Sequence, residues 1–162
     1  MVPPTQSDPI WLVPEVLGQV VGKWVAVAGG REGCIFVTAP DVVGDYRETM
    51  QRFVAWRSEL DDFPVAFVGQ DDQEKHGIPW DAFDAFFVGG TTKWKIGAGA
   101  ARLIREAKNR GKWVYMGRVN SYERGRYARW LGCDSIDGTQ FSWFRDTKLP
   151  AYLNSLRQEM LS

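Results

Sequence analysis

The chain carries side chains suited to covalent and hydrogen-bonding chemistry at the ends of several short apolar runs. Asp137 closes the run Gly132-Cys-Asp-Ser-Ile-Asp-Gly-Thr139, which reads as a strand ending in Gly-Thr. Similar endings occur upstream at Thr38-Ala-Pro-Asp41, Val68-Gly-Gln70 and Phe87-Val-Gly-Gly90. An aspartate can attack an electrophilic carbon or accept from ring N–H groups. The Gln70 amide offers a donor and an acceptor together, which suits the edge of a nucleobase. Gly89 and Gly90 remove side chains where a flat ligand would approach the backbone; a tight strand-to-loop turn explains them equally simply. Asp41 is either a loop carboxylate or part of the same pocket. The helix cap nearby is better filled by Asp45, which favours the pocket. Asp134 begins the run that Asp137 ends, so Asp137 is the better candidate for chemistry.

Cations follow these positions. Lys93, Trp94 and Lys95 come directly after Gly90-Thr-Thr92 and suit phosphate binding and stacking on a base or sugar. Arg118 ends a further apolar run and is the strongest phosphate candidate among the arginines. Ile96-Gly-Ala-Gly-Ala100 opens a helix whose N–H groups suit an anion, but it matches neither the dinucleotide nor the Walker fingerprint. The single histidine, His76, lies in a polar loop without ligand-like neighbours, and Cys34 and Cys133 form no CxxC pair. A tetrahedral zinc site cannot be assembled from them, and no metal or cofactor is expected.

The elements that must position these residues alternate between strand and helix. Strands are expected at 34–38, 64–68, 85–88, 112–116 and 133–137. A helix begins at Asp45 with a capping box to Glu48 and an inward stripe of Tyr46, Met50, Phe53, Val54 and Leu60. A short helical turn is expected at 79–83. Further helices follow at 97–109, ending at Gly111, from Ser121 through Trp130, and over 149–161. Upstream, residues 1–9 read as a loose tail, 11–21 as a helix capped by Gly22, and 23–28 as a strand. This divides the chain into residues 1–33, a tail with a helix and strand, and a βα domain over 34–162. Continuous apolar strands between helices imply a parallel sheet with both faces covered. Five such units are too few for a closed eight-stranded barrel, leaving a partial barrel or an open doubly wound sheet.

At 162 residues the chain is long enough for one domain with a true core. Its formal net charge is zero, but residues 1–92 hold 6 basic and 14 acidic side chains, and residues 93–129 hold 11 basic and 2 acidic. That local excess suits a polyanion, or a solvated helix face balanced by acidic neighbours. No apolar run approaches a membrane span and no signal-peptide pattern opens the chain, so a cytoplasmic protein without membrane contact is expected.

Together these blocks resemble the tRNA-guanine transglycosylase superfamily, and more closely its short phage and actinobacterial relatives, similar to DNA guanine transglycosylases. The resemblance runs from about Cys34 to the C-terminus. It rests on 36–45, on Phe87-Val-Gly-Gly-Thr-Thr-Lys-Trp-Lys-Ile-Gly97, on 111–121 and on 132–139. It implies a partial, shortened TIM barrel comprising about the last five strands. It further implies exchange of a guanine base in tRNA or DNA through an aspartate-linked glycosyl intermediate, with Asp137 as nucleophile. Asp41, Gln70, Gly89 and Gly90 would read the base. The family's second aspartate, its general acid/base, has no counterpart here, nor has its zinc-binding cysteine cluster. A non-catalytic purine-binding relative and an N-glycosidic hydrolase are the alternatives. A barrel lacking three strands exposes an edge, so self-association, or cover from 11–28, is expected.

Overall fold

The computed structural model of the chain describes residues 11–12, 19–20, 23–24, 34–138, 150–154 and 158. Three two-residue strands come first: β1 (Trp11–Leu12), β2 (Gln19–Val20) and β3 (Lys23–Trp24). Then follow β4 (Val37–Thr38), α1 (Tyr46–Trp56), β5 (Val65–Gly69), β6 (Ala85–Val88), α2 (Thr92–Lys95), α3 (Ala98–Asn109), β7 (Trp113–Met116), α4 (Tyr122–Trp130) and β8 (Ser135–Ile136). The sheet order is β1-β8-β7-β6-β5-β4, with every neighbouring pair parallel, and β2 and β3 form a separate antiparallel pair. The fold is thus α/β, with β4 to β8 curled into a half-barrel.

The curl can be read from two aromatic rings. Phe36 precedes β4, and Tyr115 lies on β7, three strands away, yet their centroids are 5.4 Å apart. In a flat sheet, three spacings of about 4.8 Å would separate these strands by roughly 14 Å. Phe87 on β6 completes the cluster, 4.6 Å from Tyr115 and 6.5 Å from Phe36. These rings occupy the concave face. The alternate residues Val37, Val65, Phe67, Phe86, Val88, Val114, Met116 and Ile136 point to the convex face, where they join Phe53, Ile104, Ala107 and Ala128 in the main core. Each large side chain buried there contributes about 1.5–3 kcal/mol.

One device at the base of the sheet is used twice. Asp84 donates its N–H to Val65 O at 2.7 Å, and its carboxylate accepts the Val65 N–H at 2.8 Å. Asp134 does the same with Val114, at 2.8 and 2.7 Å. Each aspartate immediately precedes a strand and locks that strand's register to a neighbour: β6 to β5, and β8 to β7. Register decides which side chains face the concavity, so these clamps set the arrangement at the opposite, C-terminal ends.

The α1 helix starts as its sequence dictates. The Asp45 carboxylate accepts the N–H groups of Arg47 and Glu48, both at 3.0 Å, a cap that contributes about 1 kcal/mol. The expected stripe needs one correction. Phe53 and Leu60 are buried, but Val54 is 67% exposed and Thr49 takes an inward place. Position 54 lies about 100° around the helix from Phe53, while Thr49 is on Phe53's own side. The expected helix over 11–21 is also corrected, because Trp11–Leu12 and Gln19–Val20 are strands and β1 pairs with β8. Of the strand expected at 23–28, Lys23–Trp24 is a strand, and the rest, like residues 1–9, lies outside the described residues. Residues 150–154 are helical, and the rest of the expected closing helix, apart from helical residue 158, is likewise outside them. Tyr152 packs edge-on to Tyr122, with ring centroids 5.5 Å apart, where the absent side chain of Gly125 leaves room.

Candidate functional site at the C-terminal strand ends

Strand alternation selects the site residues. Successive side chains point to opposite faces, so Gln70, Gly89 and Gly117 share the concave side with Val68, Phe87 and Tyr115. Tyr115 pairs with Ser135, which places Asp137, two residues further on, on that side as well. All four positions lie just beyond the C-terminal ends of β5 to β8.

A path of hydrogen bonds runs along these strand ends from Asp41 through Gln70, Gly90 and Arg118 to Asp137. Gln70 Nε2 donates to Asp41 Oδ2 at 2.8 Å. Gln70 Oε1 accepts the Gly44 N–H at 2.9 Å and the Gly90 N–H at 2.8 Å. The Gly90 carbonyl accepts from the Arg118 guanidinium, and the Arg118 N–H in turn donates to Asp137 Oδ1. The sequence-predicted Asp41, Gln70, Gly90, Arg118 and Asp137 are therefore brought together around one mouth.

Their individual environments refine what each can do. Gln70 is fully buried, with its amide oxygen taken by two backbone donors, so it holds the β4–α1 loop against the β6–α2 loop. The N–H of Gly89 bonds to Gly69 O at 3.0 Å, and that of Gly90 to Gln70. Neither glycine N–H is left for a base. The missing side chains instead serve internal packing. A Cβ on Gly89 would lie 2.6 Å from Val68 Cγ1, and one on Gly90 2.4 Å from Trp94 Cε3, with φ +58° at Gly90. Trp94 is half-buried over Gly90 and donates its indole N–H to Glu74 at 2.8 Å. Lys93 is exposed on α2.

Asp41 and Asp137 are the accessible carboxylates of the path, Asp41 exposed and Asp137 half-buried. Asp134, by contrast, is committed to structure: besides its strand clamp it pairs with Lys108 Nζ at 2.7 and 2.8 Å. The backbone around Asp137 is tightly tied, with its carbonyl accepting the Val119 N–H at 2.6 Å and its N–H donating to Met116 O at 3.3 Å. Gly117 gives the Phe87 ring room to close over the strand end, since a Cβ there would come within 2.6 Å of Phe87.

Two residues that sequence reasoning missed or misplaced belong to the site. Tyr115 is buried on the concave face and hydrogen bonds to Asp137. Burial, the Asp137 charge and that bond together push its phenol far above the ordinary range, so it stays a neutral donor. Its place two residues before Gly117 in a strand was the available signal. Lys95, read as a surface phosphate ligand beside Lys93, is instead buried at 3% exposure and donates to the Gly117 carbonyl. No His, Cys, Asp or Glu cluster among the described residues is placed to hold a metal, and no helix among them is long and apolar enough to cross a membrane. No protein-family model matches this chain, and no curated protein matches it either.

Proposed function

We propose that the chain acts in glycosyl transfer of the guanine transglycosylase type, with Asp137 as the nucleophile. The observation carrying this reading is the placement of Asp137 at the concave mouth, its carboxylate oriented by the Arg118 N–H and the Tyr115 hydroxyl. In α/β barrels the C-terminal strand ends carry the chemistry. Within this reading, β4 to β8 are the last five strands of a TIM barrel. The parallel pairing of β1 with β8 suits it, because the first strand of a closed barrel lies beside the last.

In the reaction, an Asp137 oxygen bonds to C1′ of a guanosine in tRNA or DNA while the C1′–N9 bond breaks. The purine leaves with the electron pair and takes up a proton from solvent. A second base then attacks C1′ through its ring nitrogen, gives up that nitrogen's proton to solvent, and releases the carboxylate. Covalent capture divides one difficult displacement into two easier ones. Tyr115 and the Arg118 N–H hold the carboxylate in place. Asp41 presents an acceptor to the purine edge, while Gln70 and Gly90 hold Asp41 and Arg118 rather than contacting the base. Lys93, the remaining guanidinium donors of Arg118 and the basic stretch 93–129 serve the phosphates, and Trp94 backs the pocket behind Gly90.

The test is incubation with labelled guanine and either tRNA or DNA. Label entering one nucleic acid, and lost in Asp137→Asn, is expected. No incorporation into either, with Asp137→Asn behaving like the wild type, would overturn the reading. Free base released without a second base would mark a hydrolase instead, and purine binding without turnover a non-catalytic relative.

A further inference from the structure

Among the described residues, Lys95 is the only charged side chain that is buried. Burying an ammonium costs several kcal/mol unless its surroundings compensate, and an aliphatic side chain would fill the same space without that cost. The location is informative. Lys95 ends α2 after the β6 strand end, and its Nζ reaches across to the Gly117 carbonyl beyond β7. The next residue, Arg118, has a left-handed backbone with φ +57°, strained for a side chain of this kind. It is this strained residue whose N–H meets Asp137 Oδ1.

We propose that Lys95 is a positioning residue for Asp137: by holding the Gly117 carbonyl, it fixes the Gly117–Arg118 turn that delivers the Arg118 N–H to the Asp137 carboxylate. This rests on the reading of Asp137 as the nucleophile. The charges facing Lys95 come from four elements: Arg118 from the β7–α4 loop, Asp137 from the end of β8, Arg124 from α4 and Asp71 from the β5–β6 connection. Burial first, and then Arg118, lower the Lys95 amine to about 8. The positive charge is thus held against Asp137 below that pH and released above it. A neutral amine still donates to Gly117 but no longer adds its charge to the field at the carboxylate.

The test is NMR titration of the full chain, observing the Asp137 carboxyl carbon, assigned through Asp137→Asn, together with the Lys95 Nζ. The wild-type Asp137 carboxyl-carbon signal is expected to show an inflection near pH 8, in step with Lys95. In Lys95→Met that inflection disappears. Lys95→Arg, which keeps its charge throughout this range, shows no inflection either. Where exchange is measurable, kcat is expected to fall about tenfold in Lys95→Met with KM little changed, and to recover in Lys95→Arg. Should Lys95→Met fail to fold, the wild-type titration decides alone. Lys95 titrating in the ordinary lysine range, with no inflection at Asp137, overturns the proposal. Coupling without base exchange by the wild type supports the Lys95 assignment and overturns only the proposed function.

Discussion

Gln70 and Gly90 are joined at 2.8 Å, the buried amide oxygen of one accepting the backbone N–H of the other, 20 residues away. The same oxygen holds Gly44, so a single side chain ties the β4–α1 loop to the β6–α2 loop. Replacing it with leucine removes the acceptor of both backbone donors and releases Asp41. We expect Gln70→Leu to lose about 1–3 kcal/mol in urea unfolding, the cost of the unmatched buried Gly90 donor, since Gly44 is exposed and its N–H reaches water. A loss under about 0.5 kcal/mol, typical of a surface position, would contradict the assignment.

The two aspartates of the β8 run should part company. Asp134→Ala removes the Val114 clamp and strands Lys108, and is expected to cost about 1–3 kcal/mol in stability. Asp137→Asn keeps an acceptor for the Arg118 N–H and should leave the melting temperature nearly unchanged while abolishing exchange. Equal destabilisation by both would place Asp137 among the structural carboxylates.

Gly90→Ala brings a methyl within 2.4 Å of the Trp94 ring at φ +58°. We expect a destabilisation of about 1–3 kcal/mol and a shift in tryptophan emission as the indole is displaced from Gly90. Gly111→Ala shares the left-handed backbone, at φ +69°, but meets no neighbour within 4 Å, and serves as the control for backbone strain alone.

Stability should depend on pH in the alkaline range with a sign set by Lys95. Its folded-state value of about 8 lies below the ordinary 10.5, so between these the unfolded chain binds the extra proton and stability rises with pH. Burial raises the Cys133 and Cys34 thiols above the ordinary 9.0, and their contribution declines as pH climbs past that value. The Lys95 effect is therefore clearest between about pH 8 and 9, at up to about 1.4 kcal/mol per unit. Urea unfolding at both pH values should show the rise in the wild type and not in Lys95→Met. A flat or falling wild-type curve would contradict it.

Much of the half-barrel was legible because each strand is a compact apolar run bounded by Gly, Pro or Asp. The strand ends also grouped Gln70, Gly89 and Asp137 as one candidate set, but the face each takes depends on register, which the Asp84 and Asp134 clamps help to fix. The choice of Asp137 over Asp134 rested on position alone, and the structure gives Asp134 its separate duty in Lys108 and Val114. What local pattern could not reveal was partnership over distance. Gln70 looked like a free amide because Gly44 and Gly90 lie 26 and 20 residues away. Lys95 looked like its exposed neighbour Lys93 because nothing nearby in sequence marks burial; the turn of α2 and the reach to Gly117 decide it. Residues 11–21 carried helical spacing, yet short apolar runs suit strands equally, and pairing of β1 with β8 decided the matter for Trp11–Leu12.

A covalent bond at Asp137 would be seen by intact-mass analysis after acid quenching of a mixture with tRNA or DNA. A nucleic-acid adduct that maps to Asp137 and vanishes in Asp137→Asn is expected. Base exchange proceeding without any adduct, or an adduct that persists in Asp137→Asn, would contradict it.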